Sequence, residues 1–182
     1  GVDGKTRKAS LWEGIGNGHF QLKQYDEALE AYRQVLRNAP DTPTNYATRL
    51  QIGALYEARG QNDEAMRTYE RMLGIKRLHS YEPQVRLRQA NAYRLMGRLD
   101  EAFATYEDVI KRFPRSDDSA EAYYRMGLIE QKQHSDMEKA KELYDLARKE
   151  RSTSDGGRAA TEVLKHLNAV GKYSKLVEKD DD

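Results

Sequence analysis

The sequence predicts an all-α chain, four helical hairpins in series closed by one further helix, and three observations carry that prediction. The small residues Gly16, Gly53, Ala90 and Gly127 fall 37 residues apart at every step. Ala28, Ala65 and Ala102 keep the same step and Ala140 arrives one residue late, with Tyr32, Tyr69, Tyr106 and Tyr144 following four residues after each. The composition, 34% charged and 38% hydrophobic with four prolines, suits exposed helices joined by short turns. A fixed period of this length marks stacked supersecondary units, each burying its apolar face on the next. A small residue in each ladder marks a close helix crossing. A tyrosine one turn further along the same face fills the space beside it.

Taken in order, Gly1 to Lys8 is polar with two glycines and is predicted to be disordered, the first helix starting at Ala9 or Ser10. The first hairpin then runs from about Ser10 to Leu22 and from Asp26 to Asn38, with Asp26 as N-cap, Glu27 favouring the positive helix start, and Pro40 ending it. Thr42-Pro43-Thr44 opens the next helix, whose Ala47, Leu50, Ala54 and Leu55 recur at helical spacing up to Gly60, and Asp63 caps its partner. Gly97 and Asp100 repeat that break, and Arg115-Ser116-Asp117-Asp118 supplies a cap for the fourth hairpin. Gln133-His134-Ser135-Asp136 holds one residue more than its counterparts, which delays Ala140. Four units thus fall at about 9–42, 46–79, 83–116 and 120–151. Ser152 to Gly157 reads as a loop by composition. Residues 158–177 read as a capping helix with Ala160, Val163, Leu164 and Leu167 on one side, Gly171 ending or bending it, and 178–182 as a charged tail.

Lys plus Arg total 31 against 30 for Asp plus Glu, so the net charge of +1 provides no global field favouring nucleic acid or an anionic membrane. Without cysteine there is no disulfide, thiolate metal site or cysteine nucleophile. No N-terminal apolar run resembles a secretory signal and no apolar stretch is long enough to span a bilayer, so a soluble chain, or the soluble part of a processed one, is expected. His19, His79, His134 and His166 form no metal-binding or hydrolase motif, and Gly14-x-Gly16-x-Gly18 lies in a helical pattern with no strand before it. The carboxylates fall at spacings of solvated helix faces. The expectation is a non-catalytic protein with no catalytic residues, no metal and no cofactor.

Trp12, Ile15, Gly16, His19, Ala28, Tyr32 and Pro40 resemble the tetratricopeptide pattern W-x2-L-G-x2-Y, A-x3-F, P. Later copies keep Ile52, Gly53, Tyr56, Ala65 and Tyr69; Ala90, Tyr93, Ala102, Tyr106 and Pro114; and Tyr123, Met126, Gly127, Ala140 and Tyr144. Arg77 stands at a proline position, Gln89 at an apolar one and Glu130 at a tyrosine one. The resemblance implies a right-handed α-solenoid. The usual period is 34, so each unit carries three extra residues, and phrases such as "YDEALEAYRQVLRNAPDT" resemble bacterial envelope-associated members: the outer-membrane assembly lipoprotein and the Tol-system coordinator. That likeness favours a periplasmic or envelope setting over a cytoplasmic one.

The resemblance also implies that the first helix of each hairpin lines a concave groove for a peptide or helix of a partner protein. Counting units from Ala9, Tyr46, Pro83 and Ala120, the groove positions hold Glu13, Leu50, Leu87 and Tyr124; Asn17, Ala54, Asn91 and Leu128; and Phe20, Glu57, Arg94 and Gln131. Arg88 and Arg125 flank them. On this reading Leu50, Leu87 and Tyr124 make apolar contacts and Arg88, Arg94 and Arg125 favour acidic side chains; on the alternative, the leucines fill hairpin seams and the arginines solvate the face. The clamp by which some eukaryotic members hold acidic C-termini is matched at two of its five positions, by Asn17 and Arg88, while Glu13, Gln51 and Gln84 depart from it. A protein-interaction scaffold is therefore the expectation. Homo-oligomerisation through exposed ends or the cap near Leu164 and Leu167 is the alternative, and RNA binding by the arginines a weaker one.

Overall fold

The computed structural model describes residues 4–40 and 42–180, with the side chains of all of these except 77, 78 and 173–180. Among the described residues the chain is all-α, without strands: α1 (Gly4–Gln21), α2 (Tyr25–Asn38), α3 (Pro43–Ala58), α4 (Asn62–Leu73), α5 (Glu82–Leu95), α6 (Leu99–Arg112), α7 (Asp117–Ile129), α8 (Met137–Arg151) and α9 (Asp155–Asp180). A 3-10 turn, Lys76–Tyr81, precedes α5, and a π turn, Glu130–His134, follows α7. Two compact units result, Gly1–Ala102 and Phe103–Asp182, the division falling inside α6.

Within a hairpin the decisive contact is a tyrosine laid on a glycine. The rings of Tyr32, Tyr69 and Tyr144 are fully buried. They lie so close to Gly16, Gly53 and Gly127 that a Cβ at any of the three would sit inside the van der Waals shell of the ring. Each hairpin turn repeats as well. Lys23, Gly60, Gly97 and Ser135 are all left-handed, at steps that match the repeat and its one-residue slip. Such a residue closes a helix by letting the following N–H groups reach back to its last carbonyls, as Gln24 N does to His19 O at 2.9 Å and Gln61 N to Tyr56 O at 2.8 Å.

That turn overturns two expected caps. The N-cap residues of α2 and α4 are Gln24 and Gln61, neither with a side-chain cap bond, and Asp26 and Asp63 lie inside the first helical turn. The reversal is tight enough for the helix to restart at once, and the acids serve the helix dipole instead. Thr42 caps α3, and Ser116, in the stretch expected to supply a cap, caps α7: Thr42 Oγ1 accepts from Asn45 N at 3.2 Å, and Ser116 Oγ from Ser119 N at 3.0 Å. Asp136 caps α8.

Both ends differ from the sequence reading. Helix α1 begins at Gly4, so Gly4 to Lys8 is helical rather than disordered; residues 1–3 lie outside the described set. A helix already nucleated by its packing partner extends at little cost through Lys5, Thr6, Arg7 and Lys8. At the other end the loop is only 152–154, and Gly156 and Gly157 are the first helical residues after Asp155. Ser154 caps this helix, accepting from Gly157 N at 3.0 Å. The glycines are there for proximity: a Cβ on Gly156 would meet the backbone of Ala120 and Glu121, and one on Gly157 the Arg151 carbonyl. Gly171, where a Cβ would meet nothing, does not end α9, which continues through Glu178 to Asp180; residues 181–182 lie outside the described set.

Candidate functional site

In the first unit the expected groove residues converge on one polar chain across α3, α4 and α5. The buried Tyr69 hydroxyl donates to Glu57 Oε1 at 2.8 Å, and Asn91 Nδ2 donates to Glu57 Oε2 at 2.9 Å. Arg94 then donates from Nε and Nη2 to Asn91 Oδ1, at 3.3 and 2.9 Å. Burial pushes the Tyr69 phenol far above its ordinary value, the Glu57 charge and hydrogen bond add to that, and Arg88 opposes it. Tyr69 therefore remains a neutral donor throughout the working pH range. Leu50 packs on the core of Tyr46, Ala65, Met66 and Tyr69, and Leu87 and Ala54 are half-buried. Arg88 is exposed. In the first hairpin the Tyr32 hydroxyl donates to Asn17 Oδ1 at 2.8 Å. Its phenol is raised by burial and by Glu13, and Phe20 packs edge-on to Tyr25.

The second unit repeats the pattern. The Tyr144 hydroxyl donates to Gln131 Oε1 at 2.7 Å, and burial, with Tyr124 adding to it, pushes its phenol up to about 12. Tyr124 and Leu128 pack against the core of Ala140, Tyr144, Ala147 and Ala160. Arg125 pairs with Glu121 at 2.7 Å. Thus the expected groove residues Asn17, Glu57 and Gln131 are acceptors for the packing tyrosines, and Arg94 and Arg125 are held by neighbours.

One cluster escaped the sequence reading. Glu130 is buried at the start of the π turn, its Oε2 is 2.7 Å from His134 Nδ1 and its Oε1 is 2.6 Å from Lys139 Nζ. Phe103 stacks on His134 and carries Lys139 near its face. Burial alone raises the Glu130 carboxyl, but the hydrogen bonds from Lys139 and His134 outweigh it and hold the group below the usual glutamate range. The available signal was the i,i+4 spacing of Glu130 and His134 beside the extra residue. Where the starts of α7 and α9 meet, Asp117, Asp118, Glu121 and Asp155 line a cavity of about 340 Å³ with Arg158. Burial and the neighbouring Asp117 and Glu121 raise Asp118. Among the described residues no three His, Asp or Glu side chains converge as a metal set, and no helix is long and apolar enough to cross a membrane.

Family models for the tetratricopeptide repeat match residues 7–77 and 84–116, together more than half of the chain. The chain belongs to the tetratricopeptide repeat family. No curated protein matches it. Among solved structures it resembles MamA, at 21% identity over 96% of this chain and 92% of that one, TM-score 0.56. It also resembles the TPR-like repeats of a kinesin light chain candidate from Podosopora anserina, at 20% identity over 97% and 93%, TM-score 0.61. A third is PilW, described as a widely conserved type IV pilus biogenesis factor, at 16% over 97% and 79%, TM-score 0.62. These likenesses establish the tetratricopeptide fold. The family models stop at residue 116, yet α7 and α8 form a fourth hairpin with the same contact, Tyr144 on Gly127. Its π turn inserts the residue that shifts Ala140 out of register.

Proposed function

We propose that this tetratricopeptide protein is a non-catalytic interaction scaffold that binds a peptide or helix of a partner protein along the first-helix face of its hairpins. The observation that carries the reading is the Tyr69–Glu57–Asn91–Arg94 chain. It fixes the Arg94 guanidinium on the face where Leu50 and Leu87 are half-buried and Arg88 is exposed. A side chain whose orientation is already fixed loses little entropy on binding, so it suits a carboxylate-bearing ligand better than a mobile surface arginine would. Leu87 supplies apolar contact beside it, and in the second unit Tyr124 and Leu128 offer the same. The tetratricopeptide fold is consistent with such a role, and an envelope setting, suggested by the bacterial phrases of the repeats, belongs to the same proposal.

The test is affinity capture from the source cell's extract with the wild type and with Leu87→Ala/Arg88→Glu, after both are shown to be equally helical and monodisperse. A partner retained by the first and lost by the second supports the face. A partner held equally by both refutes it. Capture of the chain by itself alone, lost on the same substitutions, would favour self-assembly.

A further inference from the structure

We propose that the outer face of α1, a surface separate from the groove, docks an amphipathic partner helix of the kind that forms the second half of each hairpin, acidic in its first turn. Helix α1 carries small or apolar residues on two separate faces. Ala9, Trp12 and Gly16 face α2. On the second face Leu11 is 63% exposed and Ile15 44%, and Leu22, 70% exposed, follows in the turn after the helix. Gly18 lies on that face and Gly14 at its edge, and a Cβ at either would meet nothing. The result is an aliphatic stripe with a flat glycine floor, the form that lets another helix backbone approach closely.

The repeat register says what belongs there. One 37-residue step beyond Leu11, Ile15 and Gly18 stand Thr48, Ile52 and Leu55, all buried, and α3 uses Ile52 and Leu55 to pack on Ala28, Leu29 and Tyr32 of α2. One step further stand Val85, Gln89 and Ala92, again buried, with Val85 and Ala92 packed on Ala65, Met66, Tyr69 and Met72 of α4. The equivalents in α7, Ala122, Met126 and Ile129, are buried too. The outer face of the first helix is thus the seat of the preceding second helix in the second and third hairpins.

Charge at both ends supports the same occupant. Where α2 meets α3, Asp26 of its acidic first turn pairs with Arg59 at 2.7 Å, and Asp63 of α4 lies within electrostatic reach of Arg98. The corresponding end of α1 carries the exposed Lys23, and its other end the exposed Arg7 and Lys8, where the negative C-terminal end of an incoming helix would lie. A second copy of the chain is a poor donor, because α2, α4 and α8 already carry α3, α5 and α9. We take the occupant to be a helix of a partner protein.

The probe is a synthetic peptide of residues Gln24–Ala39, made helical by a lactam between Glu30 and a lysine replacing Gln34, titrated into the isotopically labelled full chain. The expected result is saturable shifts of the α1 amides. Leu11→Glu/Ile15→Glu, at sites exposed enough to keep the fold, should weaken binding at least about tenfold, and Lys23→Glu should weaken it less and be rescued by Asp26→Lys in the peptide. Absence of saturable shifts on α1, shifts centred on Thr48 to Leu55 instead, or equal affinity in the double variant would overturn the proposal. A concentration-dependent doubling of mass abolished by the double variant would also overturn it, by making a second copy the occupant.

Discussion

Gly53→Ala puts the central packing contact to the test, because two effects of opposite sign act at one atom. At an exposed helix interior, replacing glycine by alanine gains about 1 kcal/mol, and Gly14→Ala, where a Cβ meets nothing, should show that gain. At Gly53 the new methyl would lie 2.5 Å from the Tyr69 phenol oxygen and nearer still to Cε1 and Cζ. The ring is fully buried and its hydroxyl is tied to Glu57, so it has no free rotamer to retreat into. Overpacking costs about 1–3 kcal/mol, and a strained or lost hydrogen bond to a charged acceptor about 1.5–3 kcal/mol. Against the propensity gain, the net destabilisation is about 1.5–5 kcal/mol, or about 3–20 °C in Tm for a chain of this size. Thermal and urea unfolding followed by circular dichroism, with the two variants side by side, measures the difference directly. A Gly53→Ala protein as stable as Gly14→Ala would refute the close-crossing argument for the whole glycine ladder.

Other outcomes follow from the same geometry. Tyr69→Phe should cost about 1.5–3 kcal/mol and Tyr32→Phe only about 0.5–1.5, because the first loses a charged acceptor and the second an amide; paired urea titrations rank them. Glu130 has a folded pKa held below the ordinary 4.5, so its contribution is present above that value and is lost as pH falls through the lower folded one. Glu130→Gln should therefore flatten the acid limb of stability below about pH 4.5, seen as a smaller loss of Tm between neutral and acid buffers than in the wild type. Ser135→Gly, relieving a left-handed non-glycine residue, should raise stability by up to about 1 kcal/mol. Gly156→Leu should undock α9 from α7, detected as faster amide exchange confined to α9 and its contacts.

What could be read from the sequence was whatever repeats. The Gly16, Gly53 and Gly127 ladder and its tyrosines gave the hairpins, because one contact recurs at one spacing. Single occurrences were misread. Gly156 and Gly157 share the composition of a loop with Ser152, Thr153 and Ser154, and only the position of Ala120, Glu121 and Arg151 in space shows that they are small because backbones pass beside them. Asp26 and Asp63 carry the residue type of an N-cap, but the left-handed turn at Lys23 and Gly60 starts the helix before them. Glu130, at a tyrosine position, offered only its i,i+4 spacing to His134 and nothing that pointed to Lys139, since the π turn that brings the three together has no period of its own.

The candidate face was harder to read for a different reason. The proposed groove positions carry a structural duty as well: the hydroxyls of Tyr32, Tyr69 and Tyr144 each take an acceptor from the first helix or the turn after it, at Asn17, Glu57 and Gln131. Replacing those residues would therefore weaken the fold along with any binding at the proposed groove. Leu87 and Arg88 have no such bond in the first unit, and Leu11 and Ile15 lie outside the hairpin core altogether. Substitutions at these four positions separate the two candidate surfaces. Loss of a ligand through Leu87 and Arg88 with the α1 face intact assigns it to the groove, and the converse assigns it to the outer face of α1.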